Sequence, residues 1–234
     1  MEYEITAEDK DATYVVLPAY NEATRIQPVI EDIAAKGYNM VIVNDGSTDN
    51  TLDVILESKR KYPDQIHVFS LMINRGVGIA TQTGFDAVLK FNPKYVVSMD
   101  SDGQHSADDL DAVIMPLVTG QARAVIGVRP LEDMPRSRNY ANAIMNLLTK
   151  IFYRVDVSDS QTGFRAITRE ALEKITINAT GYLISSEFIR EINDNDIPFA
   201  EVPIKTIYTP ETQAKGTNTT AAIKILLQMI KHQF

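Results

Sequence analysis

The sequence predicts an α/β fold with a mainly parallel central sheet covered by helices on both faces, and three observations predict it. Short β-branched apolar runs alternate with helix-length stretches. Those runs are continuously apolar rather than alternating with polar residues, as strands buried on both faces are. The chain has 234 residues, 44% of them hydrophobic and 23% charged, which suffices for a sizeable core in one large domain.

Taken in order, residues 14–18 (YVVLP) form a strand stopped by Pro18, and a helical stretch follows over about residues 22–36. Residues 40–44 (MVIVN) precede a helix over 51–62, residues 66–70 one over 78–90, and residues 95–99 one over 107–118. Residues 124–128 supply a further strand. Residues 140–153 place Ile144, Leu147, Leu148, Ile151 and Phe152 at helical spacing, and residues 219–232 do the same with Ile223, Leu226, Leu227 and Ile230 opposite Lys224 and Lys231. Each of these two helices either packs on the domain or lies in a membrane interface. No repeat and no linker long enough to separate two domains is present.

Composition narrows the function classes. The formal net charge of −8 disfavours general attraction to nucleic acid, so an anionic ligand needs a local cation or a metal. Basic charge is concentrated, with a net +4 over residues 121–154 and +3 over 205–234, against −10 over residues 1–120 and −5 over 155–204. The basic stretches are either solvated faces or, in the case of Arg129, Arg136, Arg138, Lys150 and Arg154, groups that face phosphate. The absence of cysteine removes disulfides, thiolate metal sites and cysteine nucleophiles. Residues 1–10 are acidic and polar and lack the pattern of a secretory signal, and no run approaches the ~20 apolar residues that span a bilayer. The expected location is the cytoplasm, with any membrane role a peripheral one at the inner face.

In a parallel sheet ligands gather at the C-terminal strand ends, so the loops there carry the chemistry. After the first strand come Pro18, Ala19, Tyr20, Asn21 and Glu22, and after the second Asn44-Asp45-Gly46-Ser47-Thr48-Asp49-Asn50-Thr51. Asp45 offers acceptors to a base or ribose, Gly46 permits close backbone approach, and Asp49 or Asn50 suits the cap of the next helix. The same loop also reads as a plain turn with an N-cap. The fourth strand ends in Met99-Asp100-Ser101-Asp102-Gly103-Gln104-His105. Two carboxylates two residues apart at the end of a buried strand are costly unless a cation compensates them. Mg²⁺ or Mn²⁺ prefers such oxygen ligands and bridges to diphosphate. His105 is a third-ligand candidate or, as a lone histidine beside a helix start is more often, a surface residue, and Gln104 is the better neutral ligand candidate.

These residues resemble family 2 glycosyltransferases of the GT-A fold. VVLPAYNE, VNDGSTDNT, NRGVGIATQTGFD and MDSDGQH occur in the family's order and at roughly its spacing. The similarity continues through Val125 to Arg129 and into Asp159-Ser160-Gln161-Thr162-Gly163-Phe164-Arg165, which resembles the D-x-x-S-G-F-R segment of the polyprenyl-phosphate branch that includes dolichol-phosphate mannosyltransferases.

The resemblance implies inverting transfer of a sugar from a nucleotide diphosphate sugar, of UDP-glucose or GDP-mannose type. Pro18, Tyr20, Glu22 and Asp45 would line the nucleoside pocket. Asp102 with Gln104 would hold Mg²⁺ or Mn²⁺, Asp100 would share that ion or touch the nucleotide, and Arg129 would reach the diphosphate. Asp159 and Arg165 would lie on the acceptor side. A sugar hydroxyl acceptor needs a base, for which Asp159 and Glu187 are candidates, whereas a lipid phosphate is already an anion. Glu187 otherwise reads as an exposed helix residue. The family's Q-x-x-R-W element of hydroxyl-transferring synthases is absent, which favours a polyprenyl phosphate acceptor. A sugar hydroxyl acceptor and a non-catalytic nucleotide-sugar-binding module are the alternatives. Asn44 and Val77 depart from the family pattern, as does the segment 208–218, where Lys215 and Gly216 replace an arginine-rich closing loop. Residues 1–205 are expected to form the catalytic domain, with 206–234 a loop and amphipathic helix.

Overall fold

A computed structural model describes residues 3–130, 134, 136–177 and 183–207. Its elements run α1 (Ala7–Asp11), β1 (Thr13–Ala19), α2 (Ile26–Ala35), β2 (Asn39–Asn44), α3 (Thr51–Lys61), β3 (Ile66–Ser70), α4 (Val77–Val88), β4 (Tyr95–Ser98), α5 (Leu110–Val118), β5 (Ala124–Val128), α6 (Arg136–Tyr153), β6 (Arg165–Thr168), α7 (Arg169–Leu172), α8 (Leu183–Asp194) and β7 (Phe199–Pro203). The expected strands and helices of the first half are present within a few residues. The first predicted helix is α2, which starts at Ile26 rather than residue 22, because Asn21 has a positive φ of 53° and Glu22 first closes a turn onto Arg25 and Ile26; the sequence pattern does not predict α1 before it. The predicted helix over 219–232 and the loop with Lys215 and Gly216 lie outside the described residues.

The seven strands form one sheet in the order β3-β2-β1-β4-β6-β5-β7. β1 pairs in parallel with β2 and β4, and β2 with β3. β6 is antiparallel to both β4 and β5, while β7 returns parallel to β5. The sheet is therefore mainly parallel with one reversed strand in its middle. Neither β6 nor β7 is evident as a strand in the sequence, since both are short and their place depends on pairing with distant segments.

Burial explains why the strands are apolar throughout. On β1, Val15 and Leu17 belong to one core layer, and Val16 between them belongs to the other. The first layer is covered by α2 and α5 through Ile26, Ile30, Ile33, Leu110, Val113 and Leu117. The second is covered by α4, α7 and α8 through Ala80, Phe85, Leu172, Phe188 and Ile192. Each such aliphatic or aromatic side chain removed from water contributes roughly 1.5–3 kcal/mol, before the cost of ordering it. Helix α6 stands apart, with Met145 buried against Leu148, Phe152 and Tyr153 in a small cluster of its own.

The direction of β6 positions the site. Because it runs against β4, with Ser98 opposite Arg165, its entering loop meets the same edge of the sheet at which β1, β2, β4 and β5 end. Residues 159–165 and 100–105 thereby face one another.

Candidate active site

One cavity of about 620 Å³ opens at this edge, a volume suited to a small-molecule ligand. It is lined by Pro18, Tyr20, Glu22 and Asp45 from the first two loops, by Asp100, Asp102 and Gln104 from the fourth, and by Arg129 and Arg165. The expected nucleotide-binding and metal-binding residues are thus brought together.

The first two loops are locked to one another. Asn21 donates its N–H to Ser47 and accepts at Oδ1 from the Thr48 N–H at 2.9 Å, and Glu22 donates its N–H to Thr51 Oγ1 at 2.8 Å. Of the two candidates for the next cap, Asn50 holds the N-cap position of α3 without a side-chain hydrogen bond, and Asp49 before it accepts the Thr51 N–H at 3.0 Å. The Glu22 carboxylate is paired with Arg25. Asp45 is buried, and its two carboxylate oxygens accept the N–H groups of Arg75 and Gly76, each at 2.8 Å. It fixes the loop that enters α4, while still lining the cavity. Gly46 follows at φ +62°, where a Cβ would sit 2.4 Å from the Ile73 carbonyl carbon. Only glycine fits there.

Asp100 leaves β4 into a tight space. Gly163 lies against its carboxylate, and a Cβ there would come within 2.5 Å of Oδ2. Asp100 Oδ2 lies 3.3 Å from His105 Nε2. His105 is not at the surface as expected: its side chain is 2% exposed, packs obliquely on Phe164, and is held in place by a bridge between residues 105 and 206. Desolvation works to raise the Asp100 pKa, but the hydrogen bond with His105 and the charges of His105, Arg129 and Arg165 outweigh it and hold the carboxyl below its ordinary value. Ser101, which sequence reasoning passed over, is buried and donates to Pro18 O at 2.7 Å, tying the acidic loop to β1.

Asp102 accepts the Gln104 N–H at Oδ1, at 3.0 Å, and the Gln104 amide at Oδ2, while Gln104 Oε1 accepts from Arg138 at 3.2 Å. Asp100, Asp102 and Gln104 offer hard oxygen donors on one wall. Among the described residues no three His, Asp or Glu side chains form a ready metal cage. That donor set fits Mg²⁺ or Mn²⁺, which takes one or two carboxylates and completes its shell with water and phosphate oxygens.

The lining also carries cations, Arg129, Arg138 and Arg165. Arg129 is bidentate on Asp159, with Nε to Oδ2 at 2.7 Å and Nη2 to Oδ1 at 2.9 Å, and Asp159 is fully buried. The carboxylate also accepts the N–H groups of Arg129 and Gln161. Arg165 is buried beneath the cavity, lies over the Phe188 ring at 4.9 Å and donates to Ser160 O. Burial pulls its pKa down to about 10, against the pull of Asp159 and Asp100, so it stays charged at neutral pH. Arg165 Nε, His105 Nδ1 and Asn142 Oδ1 are buried polar atoms without partners, all on residues lining this cavity. Orphaned groups of this kind call for ligand or ordered water.

Glu187 is buried rather than exposed, and its carboxylate accepts from Arg190 at 3.1 Å. Asp159 and Glu187 are both engaged by arginine, and neither lines the cavity. Residues that sequence reasoning did not single out complete the lining, among them Asn142 and Met145 from α6 and Ser185 from α8. Periodicity marks these only as positions on a helix; which helix roofs the cavity is a tertiary matter.

Comparison with known proteins follows the same lines. The family described as Glycosyl transferase family 2 matches residues 14–176. The chain is 32% identical to a UDP-N-acetylglucosamine--dolichyl-phosphate N-acetylglucosaminyltransferase of Methanococcus voltae, over 93% of this chain and 94% of that protein. It is 29% identical to a polyprenol monophosphomannose synthase of Mycolicibacterium smegmatis, over 85% and 78%. Among solved structures it resembles glucosyl-3-phosphoglycerate synthase from Mycobacterium tuberculosis, crystallised with Mn²⁺, UDP and phosphoglyceric acid, at TM-score 0.70 and 20% identity over 95% of this chain and 80% of that one. That likeness carries the fold, a GT-A sheet flanked by helices.

Proposed function

The chain belongs to glycosyl transferase family 2, and from that premise we propose that it moves a sugar from a nucleotide diphosphate sugar to a polyprenyl phosphate, with inversion at the anomeric carbon. The observation that carries this reading is the joining, in one cavity, of the Asp100 and Asp102 carboxylates with the guanidinium groups of Arg129, Arg138 and Arg165. Acids alone would suit a cation and arginines alone an anion. Both together suit a diphosphate bound with a divalent ion.

In this mechanism an oxygen of the acceptor phosphate attacks the anomeric carbon. The bond from that carbon to the diphosphate breaks, and its electron pair leaves on the nucleotide's β-phosphate oxygen. The products are a sugar phosphodiester of the lipid and a nucleoside diphosphate. No proton has to be removed from an acceptor that is already an anion, so no general base is required. Asp159 is a positioning residue for Arg129, which faces the departing diphosphate, and Arg165 and Arg138 meet the acceptor phosphate. Pro18, Tyr20, Glu22 and Asp45 frame the nucleoside, and Asp45 does so by fixing the loop of Arg75 and Gly76. Asp100, Asp102 and Gln104 would hold Mg²⁺ or Mn²⁺, which when bound neutralises charge on the leaving diphosphate. The relatives named for dolichyl-phosphate and polyprenol substrates support the choice of acceptor.

The test is release of nucleotide from UDP-N-acetylglucosamine, UDP-glucose and GDP-mannose in the presence of Mn²⁺, with and without a short-chain polyprenyl phosphate. Stimulation by the lipid phosphate for one donor is expected. Stimulation by saccharides but not by lipid overturns the acceptor, and donor binding without turnover in any mixture overturns catalysis.

A further inference from the structure

Among the described residues β3 is an edge strand, at the far end of the sheet from β7. Proteins that stay single blunt such edges with charge, proline or a bulge. β7 is blunted in this way, with Glu201 exposed and Pro203 at its end. β3 is not, since Ile66-His67-Val68-Phe69-Ser70 contains no acid, lysine, arginine, proline or glycine. Gln65 O and Leu71 N bond towards β2, at Met40 N and Asn44 O. Backbone groups alternate in direction along a strand, so Val68 and Ser70 turn their N–H and C=O groups to the open edge.

The layers on either side of this edge carry matching features. On one face α4 packs on β1 and β2 and leaves His67 and Phe69 of β3 half-buried, with Phe91 stacked on His67 at 3.9 Å. On the other face α3 packs on β3. Asp53, Leu56, Glu57 and Arg60 are exposed on α3 at spacing i, i+3, i+4 and i+7, which makes them one stripe. Lys61 is paired with Glu31 at 2.9 Å, whereas Asp53, Glu57 and Arg60 make no ion pair among the described residues.

Charge says what fits this stripe. It is acidic at its start, apolar at Leu56 and basic at its end. A two-fold axis through its middle sets Asp53 of one copy against Arg60 of the other, and Arg60 against Asp53, with Leu56 between. A surface that complements itself under such an axis suits an isologous dimer. The same axis, perpendicular to the sheet, lays β3 antiparallel to its own copy.

We propose that β3 and α3 form a homodimer interface, with a second copy of this chain adding its β3 antiparallel at the open edge and its α3 antiparallel beside this α3. The outward N–H and C=O groups of Val68 and Ser70 then find partners, and the two seven-stranded sheets run on as one. His67 and Phe69 are covered by the same contact. None of these residues lines the cavity, so each copy keeps a complete site, and the inference stands or falls apart from the acceptor reading above.

Sedimentation velocity of the full chain over about 1–100 μM is expected to show an equilibrium of monomer and dimer. Asp53→Arg and Arg60→Glu, both at exposed positions, should each weaken the dimer about tenfold, since the axis uses each pair twice. Combined, they exchange the charges and should bring the dimer back to within about twofold of wild type, a recovery that a merely damaged helix would not give. Val68→Pro removes an N–H that faces the open edge rather than β2, and should abolish the dimer while the monomer keeps its circular dichroism. If Val68→Pro fails to fold, the charge exchange decides. A monomer at every concentration overturns the proposal, as does a dimer indifferent to both single charge variants. So does a dimer broken by Leu147→Asp, at an exposed position of α6, but not by Asp53→Arg, which would put the contact on another face.

Discussion

Gly163 and Asp100 are in contact: a side-chain carbon on Gly163 would lie 2.5 Å from Asp100 Oδ2 and 2.6 Å from Oδ1. The contact exists because β6 runs antiparallel to β4, and Ser98 reinforces it by donating Oγ to Gly163 O at 3.0 Å. The glycine that precedes one strand thus shapes the carboxylate that follows another. Gly163→Ala is expected to push Asp100 out of place and to lower kcat for nucleotide release about 100-fold, the size of effect a displacement near 1 Å produces. The melting temperature should move little. An active Gly163→Ala enzyme would show that Asp100 tolerates displacement.

The Arg129 and Asp159 pair is a second place where structure and activity can be separated. Asp159 is fully buried, and Arg129 is 16% exposed at its side chain. Asp159→Ala removes the fully buried carboxylate that accepts both Arg129 side-chain hydrogen bonds, at a cost of about 1–3 kcal/mol in urea unfolding. Asp159→Asn retains an acceptor and should cost less. If Asp159 were instead a base, Asp159→Asn would abolish turnover at unchanged donor KM, whereas a positioning role predicts a rise in donor KM as Arg129 loosens.

Asp102 carries the metal prediction. Asp102→Ala is expected to lower Mn²⁺-dependent turnover by about 10²–10³-fold, and chelator should reduce the wild type to a similar floor. Thermal unfolding gives a readout independent of turnover. Nucleoside diphosphate with Mn²⁺ at 100 times its Kd should stabilise wild type by about 2.7 kcal/mol, and Asp102→Ala by far less. Equal stabilisation of both would remove Asp102 from the metal site.

Gly46 tests the nucleoside loop. Its φ of +62° and its approach to the Ile73 backbone make Gly46→Ala strained on two counts. The expected cost is roughly 1–3 kcal/mol, measured by denaturant unfolding. Weaker donor binding should accompany it, because Ile73 leads directly into Arg75 and Gly76, which Asp45 holds. Unchanged stability together with unchanged donor KM would contradict both effects.

The sequence by itself determined the succession of β1 to β5 with their helices and the acidic pair at the end of β4. These are local properties: a run such as MVIVN at residues 40–44 must be buried on both sides wherever it lies, and the residues that follow a parallel strand must emerge at its C-terminal edge. Tertiary structure alone decided the reversal of β6, a four-residue strand whose direction depends on its pairing with β4 and β5. From that reversal follow the contact of Gly163 with Asp100, the engagement of Asp159 by Arg129 thirty positions earlier, and the burial of His105. It likewise decided which of the apolar residues of α6 turn inward. Periodicity fixes the angle between side chains on one helix, but only packing against distant chain fixes which angle faces the protein.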